Sequence, residues 1–167
     1  MYLSPTARLA IYAEGEFGKG RSKTAEGVIR YAKNPIAAVI DSTAAGKSVK
    51  DAIGINCEAP IVDSVQASLH YHPDALLIGT AWSGGRLPGA WRADIVQAIE
   101  CGMDIVNGLH DFLVDDPDIA AAAAQHKKLL LDVRKPPDEL PIGAGLARKV
   151  GAFVVLTVGT DCSVGKM

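Results

Sequence analysis

The chain has 167 residues and a formal net charge of −2 at pH 7, and it contains no long run of basic residues. This charge balance argues against nucleic-acid backbones and anionic membranes as partners. Hydrophobic residues make up 49% of the chain, which is enough for a buried core, whereas aromatic residues make up only 5%. The abundant alanine, glycine and valine favour helices packed on a parallel sheet over a β-sandwich.

The cysteines and the apolar runs indicate a cytoplasmic protein. The cysteines Cys57, Cys101 and Cys162 are odd in number and lack CxxC spacing. The N-terminus does not resemble a signal peptide, so we expect reduced thiols. The longest strand-like apolar run, residues 152–156, is too short to span a bilayer.

Apolar runs alternate with helical patterns along the chain. A first strand is expected at residues 8–13, followed by a glycine-rich turn and a helix whose apolar face carries Ala25, Val28 and Ile29. Further strands are expected at 36–40, 61–62, 75–78, 104–106 and 129–133, with helices near 49–53, after Ser64, from Trp91 to Gly102, and from Asp116–Pro117 to about Gln125. Strands recurring roughly every 25 to 30 residues predict a Rossmann-like α/β fold, a parallel sheet flanked by helices.

A proline-rich stretch from Pro136 to Pro141 predicts a domain boundary. We expect the Rossmann-like domain at residues 1–137, a linker at 138–151, and the truncated start of a second α/β domain at 152–167. In that last part, the apolar run 152–158 predicts a strand and the string GTDCSVGK (159–166) predicts a P-loop.

The glycines of a P-loop let backbone N–H groups surround a phosphate, and its lysine adds a positive charge. The residues expected to bind a cofactor are Gly159, Thr160, Asp161, Ser163, Gly165 and Lys166. The glycines are one residue further apart than usual and Met167 replaces the usual Ser or Thr, yet the string resembles the P-loop of dethiobiotin synthetase. An ordinary glycine-rich turn is the alternative. Because the sequence ends at Met167, we expect this piece alone to be inactive.

The turn after the first strand admits a dinucleotide interpretation. Glycines from Gly15 to Gly20 precede a helix, and Asp41 at the end of the second strand could hold ribose hydroxyls. The spacing, however, is G-x-x-G-x-G, and the nearby Lys19 and Arg21 would also suit a phosphate or carboxylate. A turn that needs glycine for positive φ is an equally good explanation.

Polar residues follow the predicted strands at their carboxyl ends, where open parallel sheets bind ligands. They are Glu14, Asp41, Asp63, Thr80, Ser83, Arg86, His110, Asp111 and Arg134. The predicted catalytic residues are His110, as an acid or base, and Arg86, as an anion-binding fork. The residues predicted to bind substrate are Glu14, Asp41, Thr80, Ser83, Gly84 and Gly85. His70 and His72 are interpreted as a solvated helix end, and no metal site is predicted.

Four strings together resemble one family: LAIYAEG (9–15), IGTA to RLP (78–88), GLH (108–110) and GTDCSVGK (159–166). The chain is similar to a family of two-domain bacterial and archaeal proteins long described as of unknown function. That family is often filed as NAD-dependent epimerase/dehydratase, and its DgcN-like members are described as D-glutamate N-acetyltransferases. The resemblance covers essentially the whole chain. It implies an N-terminal Rossmann-like domain followed by the start of a C-terminal P-loop domain.

Two functions of different classes follow from this resemblance and from the residues. The full-length parent could be a P-loop enzyme that acts on a small acidic amino acid by acyl transfer, with ATP or acetyl-CoA as cofactor. Alternatively, the Rossmann-like domain could be a non-catalytic binding or assembly module. An NAD-dependent epimerase or dehydratase is the third and least favoured interpretation, because no Tyr-x-x-x-Lys pair is present. We expect a small anionic metabolite as ligand and a homo-oligomeric assembly.

Overall fold

The computed structural model describes residues 3–137, 139–140, 143, 145–153, 155 and 158. In this part of the chain, six parallel strands form one sheet in the order β3-β2-β1-β4-β5-β6. The strands are β1 (Leu9–Tyr12), β2 (Ile36–Ile40), β3 (Ile61–Val62), β4 (Ala75–Ile78), β5 (Asp104–Asn107) and β6 (Leu130–Asp132). This is the strand order of a doubly wound dinucleotide-binding fold. The predicted Rossmann-like fold is therefore confirmed.

Helices connect successive strands of the sheet. They are α1 (Lys23–Tyr31), α2 (Val49–Ile53), α3 (Val65–Ser68), α4 (Arg92–Glu100) and α5 (Pro117–His126). The predicted start of α5 is confirmed, since the Asp116 side chain accepts from the amides of Asp118 and Ile119, and Pro117 occupies the first turn. Trp91, in contrast, lies in the 3₁₀ turn Gly89–Trp91 that precedes α4 rather than in the helix.

The strands bury side chains on both faces, which explains why they are continuously apolar. On one face Ile11 and Leu77 pack with Ala25 of α1 and Val49 of α2. On the other face, alternate strand residues pack against α3, α4 and α5. That second cluster includes Tyr12, Leu76, Ile78, Val65, Trp91, Ile95, Ile99, Ile105 and Ile119. The helices cover both faces of the sheet, so the loops alone line its carboxyl edge.

The chain divides into two compact units, Met1–Lys135 and Pro136–Met167. In the second unit, Leu146–Lys149 forms a 3₁₀ turn that follows Gly145. Within the predicted strand 152–158 only residues 152, 153, 155 and 158 are described, and none of these four is assigned to a strand. The P-loop residues 159–166 lie outside the described residues, so the strand and the P-loop stay predictions.

The helices of the described residues include none that is long and apolar enough to cross a membrane.

Candidate ligand site at the carboxyl edge of the sheet

The turn after β1 is held together by its two acidic neighbours. Asp41 is completely buried, and its carboxylate accepts hydrogen bonds from the amide of Phe17 at 2.8 Å and from the amide and hydroxyl of Thr43 at 2.8 and 2.7 Å. Glu14 accepts from the amide of Ser42 at 2.9 Å and from its hydroxyl. The structure therefore gives both predicted substrate-binding acids a role in fixing this turn, and buries the one that would hold ribose hydroxyls.

One backbone amide at the start of α1 is also hydrogen-bonded within the chain. The amide of Ala25 donates to the carbonyl of Gly79 at 2.8 Å, so the residue after β4 lies against the first turn of the helix. A Cβ at Gly79 would lie 2.6 Å from Cγ2 of Ile11 and 2.9 Å from Cβ of Ala25, which explains why this close approach requires glycine. A dinucleotide pyrophosphate binds at the N-terminus of this helix in Rossmann enzymes. Here the chain's own carbonyl bonds to one of its amides.

Three aromatic rings in edge-on contact pack along the loop that leads from β4 to α4. The ring of Tyr12 meets that of Trp91 edge-on, with centroids 5.2 Å apart, and Trp91 meets Trp82 in the same way at 5.5 Å. The guanidinium of Arg21 lies 4.5 Å from the ring centre of Trp82. The Tyr12 hydroxyl donates to Asp94 of α4. Burial and this carboxylate raise the pKa of Tyr12 far above its usual value.

The loop after β5 is fixed by a buried amide. Asn107 is completely buried; its Nδ2 donates to the carbonyl of Asp111 at 2.8 Å and to Asp132 at 2.6 Å. Its Oδ1 accepts from the amide of Leu109 at 2.9 Å. The amide of His110 then donates to the carbonyl of Gly85 at 2.7 Å, which joins this loop to the loop after β4. These contacts set the position of His110.

The loops after β4, β5 and β6 enclose a cavity of about 140 Å³. Its lining residues are Thr24, Thr80, Ala81, Trp82, Gly85, Gly108, Leu109, His110 and Arg134. Thr80 is 3% exposed, and its hydroxyl oxygen is buried without a hydrogen-bond partner among the described residues. A buried polar atom without a partner is uncommon and destabilising.

Arg134 and His110 meet at the rim of this cavity. Nη1 of Arg134 lies 2.8 Å from Nε2 of His110. A guanidinium can only donate, so Nε2 of His110 is the acceptor in this contact. The contact holds the imidazole beside the positive charge of Arg134.

A larger groove of about 440 Å³ lies on another side of His110. Its lining residues are Leu87, Arg92, His110, Asp111, Phe112, Leu113, Asp115, Asp116 and Pro117. Arg92 is already paired with Asp116 and, at 3.0 Å, with Asp118. The groove is therefore acidic, whereas the cavity is not.

The structure brings together part of the predicted site. Thr80, Gly85 and His110 line the cavity, and Ser83 and Gly84 belong to the adjoining 3₁₀ turn Ser83–Gly85. Arg86 is exposed and lines neither the cavity nor the groove. The six predicted P-loop residues lie outside the described residues.

Two supporting residues escaped sequence reasoning. Asn107 and Asp132 fix the loop that carries His110, and Asp132 also accepts from the amides of Leu113 and Val114 at 3.0 and 3.1 Å. The available signal was a polar residue that ends an apolar run, which describes both positions. The same signal marked Arg134 and Thr80, so it identifies residues of this edge without separating ligand contacts from supports.

Comparison with known proteins supports the fold and gives a family. A model described as "Domain of unknown function (DUF1611_N) Rossmann-like domain" matches residues 42–136, more than half of the chain. The chain belongs to this family. The resemblance stated from the sequence motifs is confirmed.

Relatives of this DUF1611_N chain include a solved structure and two curated proteins. The crystal structure of a DUF1611 family protein from Anabaena variabilis superposes with a TM-score of 0.80 at 40% identity, over 87% of this chain and 42% of that one. A D-glutamate N-acetyltransferase from Tritonibacter scottomollicae is 47% identical over 92 residues, which is 55% of this chain and 27% of the relative. One from Pseudoalteromonas sp is 46% identical over 91 residues, 54% and 27% of the two chains. The match thus spans about a quarter of the curated relatives.

Proposed function

We propose that this chain is the substrate-recognition part of an enzyme that N-acylates a small acidic amino acid, with D-glutamate as the first candidate. The observation that carries the proposal is the cavity at the carboxyl edge, which Arg134 and His110 line and where their side chains meet. A guanidinium is a suitable donor for a carboxylate. The names of the two curated relatives supply the candidate substrate and the candidate reaction.

The reaction requires a group that accepts a proton. An amino acid carries its amine as ammonium at neutral pH, and only the neutral amine attacks an acyl carbon. His110 is the candidate to take that proton, because its imidazole lines the cavity and contacts Arg134. With an acyl thioester as donor, the C–N bond forms, the C–S bond breaks, and the second amine proton leaves with the thiolate. His110 would then be the catalytic base.

Arg86 is assigned to the second carboxylate of an acidic amino acid. It directly follows Gly85, which lines the cavity, and its exposed guanidinium can reach a ligand from outside. A carboxylate held by Arg134 at the rim and another held by Arg86 outside the cavity would favour an acidic substrate over a neutral one. The role of Arg86 is thus recognition, alongside the base His110.

The geometry offers less support to NAD-dependent chemistry. The Gly79 carbonyl accepts from the first turn of α1, and Asp41 is buried with both oxygens in use. A pyrophosphate and a ribose would have to displace these internal hydrogen bonds. We therefore place the ligand at the loops after β4, β5 and β6 rather than at the turn after β1.

The test is acetylation of D-glutamate by the full-length protein with acetyl-CoA, with the product measured by mass spectrometry. His110→Gln is expected to lower kcat by about 100-fold or more, the usual contribution of a general base. Arg134→Gln and Arg86→Gln are expected to raise KM for D-glutamate. Arg30→Gln, which removes an equal charge from the exposed face of α1, serves as the control.

Two results would contradict the proposal. The first is the absence of product from folded wild-type protein in the presence of acetyl-CoA and D-glutamate. The second is full turnover in folded His110→Gln and Arg134→Gln proteins, which would make this domain a binding or assembly module without a part in the chemistry.

A further inference from the structure

The two side chains that meet at the cavity follow the ends of neighbouring strands. His110 lies shortly after β5, which ends at Asn107, and Arg134 lies shortly after β6, which ends at Asp132. Asn107 and Asp132 are also direct partners in the parallel ladder between the two strands. A change at this one pair would therefore move both His110 and Arg134.

The side chains of Asn107 and Asp132 form a hydrogen-bond network in which the amide group is fully used. Nδ2 of Asn107 donates to Oδ1 of Asp132 at 2.6 Å and to the carbonyl of Asp111 at 2.8 Å. Oδ1 of Asn107 accepts from the amide of Leu109 at 2.9 Å. Because Asn107 is completely buried, a lost partner would leave a polar group without water to replace it.

This network holds the backbone on both sides of His110. The residues that Asn107 binds in the loop after β5 are Leu109 and Asp111, the two chain neighbours of His110. The amide of His110 itself donates to the carbonyl of Gly85 at 2.7 Å. The backbone position of His110 is therefore set from three sides.

The same two residues hold the backbone on both sides of Arg134. The carbonyl of Asn107 accepts from the amide of Val133 at 2.9 Å, and the carbonyl of Asp132 accepts from the amide of Lys135 at 3.0 Å. Val133 and Lys135 are the two chain neighbours of Arg134. Asn107 and Asp132 thus bind the neighbours of both residues that meet at the cavity.

Fixed backbones favour the contact between the two side chains. His110 and Arg134 are both exposed, and their nitrogen atoms lie 2.8 Å apart. Exposed side chains lose conformational entropy when they are held in a single contact. A backbone held on both sides of each residue limits the positions that the two side chains can reach, so less freedom is lost when they meet.

We propose that Asn107 and Asp132 are positioning residues that set the distance between His110 and Arg134 and so hold the base and the anion-binding guanidinium as one pair. This inference rests on the proposed function, because it assigns a role to residues behind that same site. Neither residue is among the described residues that line the cavity, so both act through His110 and Arg134 rather than on the ligand.

The experiment replaces Asp132, which is only partly buried. Asp132→Ala removes the acceptor of Nδ2 of Asn107, whereas Asp132→Asn keeps one side-chain oxygen for it. Asp104→Ala is the matched control, because the Asp104 carboxylate accepts from the amide of Leu129 at 2.9 Å and joins β5 to the start of β6 at the opposite end of the same strands. Circular dichroism verifies that each variant is folded.

The first readout is nitrogen-15 NMR of His110 in the ligand-free, full-length protein, with the signal assigned by its loss in His110→Gln. Arg134→Gln should shift the Nε2 signal, because the imidazole loses its donor. Asp132→Ala should shift it in the same direction. Asp132→Asn and Asp104→Ala should leave it near its wild-type position.

The second readout is acetylation of D-glutamate by acetyl-CoA. Asp132→Ala should lower kcat/KM by about 10- to 100-fold, because both side chains are displaced, and Asp132→Asn should recover most of this loss. When Asp132→Ala is combined with His110→Gln, it should lower kcat by less than about threefold further, since the base that it positions is already gone.

Three results would overturn the inference: an unchanged Nε2 signal in folded Asp132→Ala, an equal shift in Asp104→Ala, or an undiminished effect of Asp132→Ala on kcat in the His110→Gln background. If Asp132→Ala does not fold, Asp132→Glu, which moves the carboxylate by one methylene, takes its place with the same expected pattern. The NMR readout needs no ligand and no acyl donor. The expected shifts without acetylation would therefore contradict the proposed function alone, and acetylation with an unchanged signal would contradict this inference alone.

Discussion

Two glycine-containing regions lie at the same edge of the sheet, and they differ in how their polar groups are used. The turn after β1 looks in sequence like a ligand-binding turn, yet its acids Asp41 and Glu14 accept hydrogen bonds from neighbouring residues of the chain. The loop after β4, where the sequence also predicts site residues from Thr80 to Arg86, differs from that turn. It carries Thr80, whose buried hydroxyl has no partner within the described residues.

This difference shows that glycine content and charge do not by themselves locate a site. Glycine permits a turn and a close approach, and both regions use it for these purposes. What separates them is whether the buried donors and acceptors are satisfied within the chain. A turn whose polar groups are satisfied within the chain stabilises the fold, whereas a buried polar group without a partner destabilises it.

The largest effect on stability is expected at the turn after β1. Asp41→Ala should lower the free energy of unfolding by about 3 kcal/mol, because the buried amide of Phe17 and the amide of Thr43 lose their acceptor. Asp63→Ala is the matched control, since Asp63 also follows a strand but is exposed, and it should cost about 0.5 kcal/mol or less. Urea unfolding measures both. A loss below about 1 kcal/mol in Asp41→Ala would show that the turn is not held by this carboxylate.

The next effect on stability concerns the contact between the loop after β4 and the loop after β5. A Cβ at Gly85 would lie 2.1 Å from Cδ2 of His110, and the φ of Gly85 is +68°. Gly85→Ala should therefore cost about 2 kcal/mol and displace His110. Gly84→Ala has a similar φ of +73°, but its Cβ would meet only Cγ of Arg86, at 4.0 Å. It should cost about 1 kcal/mol, for the backbone alone. Equal losses in the two variants, by thermal unfolding, would argue against the packing of His110 on Gly85.

A third effect on stability depends on pH and comes from Tyr12, whose ring packs on Trp91 and whose hydroxyl donates to Asp94. Its pKa is raised above the ordinary value of 10.0 by burial, by the hydrogen bond to Asp94 and by nearby negative charge. Above pH 10 the unfolded chain has therefore lost this proton while the folded protein keeps it, so stability falls as the pH rises. The expected slope is up to about 1.4 kcal/mol per pH unit.

Tyr12→Phe should remove this slope, and Tyr31→Phe, at an exposed tyrosine, should retain it. Chemical denaturation at several pH values between neutrality and alkaline pH measures the difference. Identical slopes in wild type and Tyr12→Phe would mean that Tyr12 ionises in the folded state as it does in water.

The smallest effect is expected at the unsatisfied hydroxyl. Thr80→Val should leave stability unchanged or raise it by about 1 kcal/mol, because it removes a buried polar atom that has no partner. A clear loss of stability on calorimetric unfolding would show that the hydroxyl has a structural partner, and it would make Thr80 resemble Asp41.

Much of the fold could be predicted because each buried strand is a short apolar run in the sequence. Residues 75–78 and 36–40 are short apolar runs between polar turns, and both form strands at the expected positions. The end of β5 was placed one residue early, because Asn107 is polar and resembles a loop residue. It belongs to the strand since Asp111 and Asp132 satisfy its buried amide.

The candidate site could be predicted only in part. The carboxyl edge and residues such as Thr80, His110 and Arg134 follow from topology, because parallel strands bring their ends together. The role of Asp41 could not be read in advance, since an acid at the end of β2 suits a ribose as well as a turn. The deciding fact, which amides meet its oxygens, depends on long-range packing of Phe17.

The central position of β1 has a consequence for how this chain is made. β1 leaves the ribosome well before its neighbour β4, and the amide of Arg8 bonds to the side chain of Asp74, 66 residues further along. At ordinary rates of synthesis, that stretch takes on the order of several seconds. During this time β1 can pair with β2 but leaves its other edge open to strands of other chains. The cavity, whose walls include residues that follow β4, β5 and β6, therefore cannot form until β6 and Arg134 have been synthesised.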